Sequence, residues 1–216
     1  MPKFDKFPLA GSAFAYLVPA LFMAAVATAL GIWFLAVPLW LAAAFVIFFF
    51  RDPPRFSHSR PEEVLSPADG RVVAVEEVLA DRLPGGKACL ISIFMNLFDV
   101  HVNRVPVSGR VKAVHHHPGG FVAADRPEAR EANERQDVLL STVTGSCLLV
   151  AQVAGLVARR IECRLIPGDL VQKGERYGMI RFGSRLDVYL PLEAKVKVSL
   201  GQKVKAGVTV IGEMEK

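Results

Sequence analysis

The chain predicts a β-rich α+β protein: a folded-over β-sandwich, barrel-sandwich-like, preceded by an N-terminal hydrophobic helical hairpin. Three observations carry this expectation. Residues 7–50 hold no Asp, Glu, Lys, Arg or His. Beyond them, short β-branched runs alternate with Gly and Pro turns over most of the chain. Two pairs of segments also echo one another, each with glycines where hairpin corners would fall.

The hairpin comes first. The 44 residues from Phe7 to Phe50 suit two spans, since one helix crossing a bilayer needs roughly 20 apolar residues. Gly31, close to Trp33, marks the turn, and Pro38 is placed to kink the second helix. Lys3 and Lys6 precede the block and Arg51, Arg55 and Arg60 follow it, which puts both ends in the cytoplasm. Two other readings stay open. Ala27-Thr28-Ala29 has the spacing of a signal-peptidase site, although the apolar run continues about twenty residues beyond it. A hairpin dipping into one leaflet would also accommodate two internal prolines. The expected division is a membrane anchor at 1–50, a linker at 51–60 opened by Arg51-Asp52-Pro53-Pro54-Arg55, and a β-rich domain at 61–216.

The formal charge of +5 beside such a block suits an anionic lipid surface. No basic stripe or nucleic-acid motif is present, so nucleic acid is not expected as a partner. Cys89, Cys147 and Cys163 are odd in number and far apart, which fits a reducing compartment better than disulfides or zinc.

In the β-rich part the clearest strands are Val72–Val75, Cys89–Phe94, Val111–Val114, Val138–Leu140, Leu148–Val153, Ile161–Leu165, Leu186–Leu190 and Lys195–Val198. One helix is expected within Ala123–Arg135, rich in Ala, Glu and Arg. Ser66-Pro67-Ala68-Asp69-Gly70-Arg71 echoes Val105-Pro106-Val107-Ser108-Gly109-Arg110, and Gly168–Gly174 echoes Gly201–Gly207. The Gly-x-x-Val-x-x-Gly form of the second pair resembles the sandwich of biotinyl and lipoyl carrier domains.

The chemistry centres on Gly183-Ser184, between two strand-like runs. A serine hydroxyl can attack the carbonyl of its preceding residue, moving the acyl group from nitrogen to oxygen. Gly183, lacking Cβ, tolerates the strained turn and lets the hydroxyl approach. A base must take the proton, and a carboxylate must orient the base. Plainer readings stand beside this one. Gly183-Ser184 and Thr144-Gly145-Ser146 could both be ordinary turns, Asp69-Gly70 is a common turn pair, and His101 could be a core histidine. Neighbours in the His115-His116-His117 run point to opposite faces of an extended chain, so no metal site is expected and a partly exposed, lipid-facing rim is preferred.

Several segments in order then resemble phosphatidylserine decarboxylase, in its short bacterial form. They are Ser66-Pro67-Ala68-Asp69-Gly70, Asn96-Leu97-Phe98-Asp99-Val100-His101-Val102-Asn103-Arg104-Val105-Pro106, His117-Pro118-Gly119-Gly120-Phe121, Asn133-Glu134-Arg135 and Phe182-Gly183-Ser184. The resemblance implies that the chain cuts itself between Gly183 and Ser184, with Asp69 and His101 as the serine's partners. The cut leaves a large subunit, 1–183, and a small one, 184–216, which stay together as a heterodimer. Ser184 becomes a covalent pyruvoyl group, and neither pyridoxal phosphate nor a metal is implied. Through a Schiff base, that group would convert phosphatidylserine to phosphatidylethanolamine at the cytoplasmic side of a bacterial cell membrane. Oligomeric state beyond the cut pair is left open. Two departures matter. Longer family members carry Leu-Gly-Ser-Thr at the cut, where this chain has Phe182-Gly183-Ser184-Arg185. They also carry a second histidine where this chain has Arg104, leaving His101 alone for maturation and turnover. The competing expectation of another class is a membrane-anchored, lipoyl-like adaptor or carrier. Against it, no lysine sits at a hairpin tip for attachment of biotin or lipoate.

Overall fold

The computed structural model describes residues 9–81, 83, 85–156, 161–181 and 183–215. Lys3, Lys6, Phe7 and Phe182, used above, lie outside the described residues. The chain divides into two compact units, Met1–Pro54 and Arg55–Lys216.

In the first unit a short 3-10 turn leads into α1 (Phe14–Ala29), and α2 (Trp33–Phe49) follows after Gly31, whose φ of 70° suits only glycine readily. The two ends of the hairpin are tied where Ala10 N–H donates to Phe50 O at 2.9 Å. Ala24, Ala27, Ala36 and Ala43 are buried, and such small residues let helices pack closely. Trp40 Nε1 donates to Thr28 Oγ1 at 3.2 Å across the pair. Phe22, Trp33, Phe34 and Leu41 are exposed. The run Gly11–Ala29 has 19 residues, about 28 Å at the helical rise and close to the depth of a bilayer core. The second apolar helix is shorter. By its composition the hairpin is suited to associate with a membrane.

The second unit is β-rich. Its strands are β1 (Glu63–Leu65), β2 (Gly70–Leu79), β3 (Lys87–Met95), β4 (Val102–Arg104), β5 (Gly109–His117), β6 (Arg135–Thr142), β7 (Cys147–Val153), β8 (Ile161–Cys163), β9 (Leu170–Val171), β10 (Arg176–Ile180), β11 (Ser184–Leu190), β12 (Lys195–Val196), β13 (Lys203–Val204) and β14 (Val210–Glu213). The main sheet runs β13-β2-β3-β11-β7-β6-β5-β9, and two small sheets run β1-β14-β12 and β4-β10-β8. Val72, Ile93, Leu186, Val188, Val150 and Leu140 lie in the core between them.

Read from its two edges, the main sheet is built twice. β2–β3 and β5–β6 are hairpins whose pairing shifts at matching places, between Val72 and Ala74 and between Val111 and Ala113. Val72 N–H donates to Gln202 O and Val111 N–H to Asp169 O, both at 2.9 Å. Across the two halves, Arg104 N–H donates to Pro67 O at 2.8 Å and Leu65 N–H to Pro106 O at 3.0 Å. The two sequence echoes are therefore the two halves of one pseudo-twofold fold. The first half, β1-β2-β3 with β11-β12-β13-β14, is interrupted by the second, β4 to β10. Gly70 and Gly109 open equivalent strands because a Cβ there would fall 2.1 Å from Phe94 O and 2.0 Å from Ser141 O.

Two expectations change. The helix expected within Ala123–Arg135 is a single turn, α3 (Ala129–Ala132), because Pro127 and side-chain bonds to Val122, Ala124 and Arg126 hold the preceding residues outside helical geometry. The β unit begins at Arg55, inside the expected linker, because the Arg55 guanidinium is bonded within it. The expected strands at Ile161–Leu165 and Lys195–Val198 are present but shorter.

Gly109→Ala should destabilise the fold by about 2–3 kcal/mol, the usual penalty of overpacking. A urea titration of the purified protein checks this, with the midpoint falling at unchanged slope.

Candidate active site

Ser184 opens β11, the strand held by β3 on one side and β7 on the other. In register, Ser184 faces Met95, and the next rung joins Arg185, Phe94 and Arg71. Gly70 and Ser184 thus flank the end of β3, about 10 Å apart at two strand spacings. Ser184 shares the inward face with Leu186 and Val188 and is fully buried. Its Oγ has no hydrogen-bond partner among the described residues. An unpaired buried hydroxyl costs about 1–3 kcal/mol, so this atom adds nothing to stability. Gly183 has a φ of 65°, and a Cβ on it would meet open space, so its conformation alone calls for glycine.

Asp69 ends the loop before β2. Arg55 grips it with two nitrogens, Nη1 to Oδ1 at 2.6 Å and Nη2 to Oδ2 at 2.7 Å. Ala206 N–H also donates to Oδ1 at 2.7 Å. That last bond has a counterpart in the other half of the fold, where Lys173 N–H donates to Ser108 Oγ at 3.0 Å. The corner is architectural. The negative charge and its Arg55 partner are what distinguish the Asp69 side.

His101 is fully buried before β4. Its Nδ1 lies 3.0 Å from Asp99 O, and a carbonyl only accepts, so Nδ1 carries hydrogen and the neutral ring keeps its lone pair on Nε2. Two residues on, Asn103 Nδ2 meets Met95 Sδ at 3.7 Å, and Gln152 Nε2 donates to Asn103 Oδ1 at 2.8 Å. This web ties the histidine segment to the end of β3 that Ser184 faces. Sequence reasoning did not single out Gln152 or Arg55. For Gln152, a glutamine amid the apolar strand Leu148–Val153 was the available signal.

The opposite face of β11 carries a buried ion pair, with Arg185 Nε 2.8 Å from Asp187 Oδ1. Burial and then the Asp187 charge push the Tyr189 hydroxyl up to about 12, so it stays neutral. His115, His116 and His117 end β5. Both His115 and His116 are exposed, and His117 Nε2 stands 3.2 Å from Asp137 Oδ2. Among the described residues no group of three or more His, Cys, Asp or Glu is placed to hold a metal.

The β unit thus carries a buried serine at the start of β11, a buried histidine before β4 and a carboxylate before β2. The comparisons say of which kind: the phosphatidylserine decarboxylase model matches residues 42–212, and the chain belongs to that family. It is a decarboxylase. A phosphatidylserine decarboxylase proenzyme of Cupriavidus taiwanensis is 50% identical over 186 residues, covering 86% of this chain and 85% of the relative. The proenzyme of Nitrosomonas europaea is 45% identical over 209 residues, 97% of this chain and 93% of its own. That of Desulfotalea psychrophila is 47% identical over 174 residues. Family membership sets the adaptor reading aside.

Proposed function

We propose that this chain is a proenzyme that cuts itself between Gly183 and Ser184 and then decarboxylates phosphatidylserine to phosphatidylethanolamine. The observation that carries this is the buried Ser184 hydroxyl, without a hydrogen-bond partner among the described residues, directly after a left-handed glycine. In the first step Ser184 Oγ bonds to the Gly183 carbonyl carbon, the carbon–nitrogen bond breaks, and the hydroxyl proton ends on the freed amine. A base then removes the Ser184 α-proton while the Gly183 carboxylate leaves with the C–O electrons, giving dehydroalanine. Tautomerisation and water release ammonia and leave a ketone.

His101 is the base in this scheme, its Nδ1–H fixed by Asp99 O and its Nε2 the ring nitrogen that takes the proton. Asp69 is the carboxylate, acting through its charge at the same end of the sheet. The pyruvoyl carbonyl, once formed, supplies the electron sink that decarboxylation of an amino acid needs. His101 then returns a proton to the substrate carbon. Ser184 has no exposed surface in the uncut chain, so the cut is also what admits a lipid amine.

The register supports retention of both pieces as a heterodimer. Residues 184–216 supply β11 to the middle of the main sheet, β13 to its edge and β14 to β1, so release of the small piece would break the sheet. The hairpin of residues 1–50 holds the enzyme at the cytoplasmic face of the cell membrane, where Arg51 and Arg60 suit anionic lipid. The β unit, Arg55–Lys216, carries the reaction.

Intact mass with and without an aminooxy reagent tests the reading. Two pieces divided between residues 183 and 184 are expected, the smaller one ketone-reactive. A single uncut chain with full decarboxylase activity would refute it. Ser184→Ala should stay uncut and inactive, and His101→Ala should lose cutting, turnover or both. Asp69→Ser separates architecture from charge. Serine closes the same corner at Ser108, so this variant should fold, shown by circular dichroism, yet remain uncut. Normal cutting would reduce Asp69 to a structural residue.

A further inference from the structure

Gly155, two residues past β7, has the carbonyl of Gly183 for a neighbour. A Cβ built on Gly155 would sit 1.8 Å from Gly183 O and 2.9 Å from Gly183 C, closer than real atoms come. Its φ is not left-handed, so an alanine would meet no backbone strain there. Close approach to that one peptide is what calls for glycine.

The segment that carries Gly155 is fixed from behind. Asn133, buried, donates from Nδ2 to Ala154 O and to Val122 O, both at 2.7 Å, and accepts Val122 N–H at 2.6 Å. Ala154 N–H donates to Glu134 O at 2.9 Å. On the far side of the scissile bond, Arg185 Nη1 donates to Ala124 O at 3.1 Å and to Arg126 O at 2.9 Å. The peptide is therefore held from both directions, its carbonyl against Gly155 and its following residue against the 124–126 segment. Asn133-Glu134-Arg135, conspicuous in the sequence and unused by the chemistry above, acquires a purpose.

We propose that Gly155 is a positioning residue for self-cleavage: its bare α-carbon is the stop that sets the Gly183 carbonyl for attack by Ser184 Oγ, and Asn133 holds the stop in place. The inference rests on the self-cleavage reading above. Attack forms the Oγ–C bond and breaks the C–N bond, the hydroxyl proton passing to the Ser184 nitrogen. Its rate depends on the orientation of the carbonyl, and misplacement by about 1 Å costs on the order of 100-fold.

The test follows full-length Gly155→Ala and wild type by intact mass over time. Parallel samples receive hydroxylamine, which cuts an ester at residue 184 but not the amide. The expected result is cutting slower by about 100-fold, with no hydroxylamine-sensitive ester, because the first step is blocked. An uncut wild type would remove the self-cleavage reading and this inference with it. A wild type that cuts, beside a Gly155→Ala chain cutting at the same rate, overturns the inference alone. So does recovery of cutting on adding Ala124→Gly, since the Ala124 Cβ is the next neighbour at 3.3 Å and crowding there would then be the cause. Folding is read separately, by the melting temperature of Gly155→Ala in the uncuttable Ser184→Ala background. Should that chain not fold, Asn133→Ser carries the test: cutting slowed by roughly tenfold in a folded chain supports the stop, and normal cutting overturns it.

Discussion

Strand β11 is hydrogen-bonded to β3 and β7 along most of its length, and the rest of the unit depends on this two-sided clamp. A residue at the start of an interior strand is placed by its neighbours on both sides, with little freedom of its own. Ser184 is such a residue. The clamp also explains why a chain break at its N-terminal end is tolerable. The sheet relies on bonds across the strands, from β11 to β3 and β7, and these begin at Ser184 and Arg185.

The duplicated fold shows what is unusual about that position. In the second half, β6 and β7 are joined by a short turn through Gly145-Ser146, and Thr142 N–H donates to Ser146 O at 2.8 Å. The matching strands of the first half, β3 and β11, pair in the same way, but the chain between them runs out through β4 to β10 before returning. Gly183-Ser184 is the counterpart of Gly145-Ser146, both glycines left-handed, at φ 65° and 90°. One pair closes a half-exposed hairpin. The other sits where a hairpin would be, with no turn to close and its serine sealed in the core. A left-handed glycine is thus retained where no hairpin is closed.

Much of this was legible in the sequence. The charge-free block gave the hairpin, and period-two runs gave the long strands. Short strands such as β1, β9 and β13 were not, because two or three residues carry no period and form only through pairing with a partner far along the chain. The repeats were visible as echoes, yet their pairing into a pseudo-twofold was not. A third echo was there to be read: Gly145-Ser146-Cys147-Leu148-Leu149-Val150 against Gly183-Ser184-Arg185-Leu186-Asp187-Val188. Taken as a lone turn, Gly145-Ser146 hid this. Ser184, His101 and Asp69 came from motif resemblance. Arg55, Gln152 and Gly155 could not, since each matters through contacts with residues distant in the chain.

The same comparison divides the site into what the fold needs and what the chemistry adds. The backbone bond at Asp69 has its match at Ser108, and the close approach at Gly70 has its match at Gly109, so neither is particular to the reaction. What lacks a match is the carboxylate charge on Asp69, its Arg55 partner and the burial of Ser184. These departures from the twofold fall at one end of one sheet. A duplicated scaffold spreads its stabilising contacts over both halves, so one half can bear an unpaired hydroxyl and a strained glycine while the other keeps the ordinary turn.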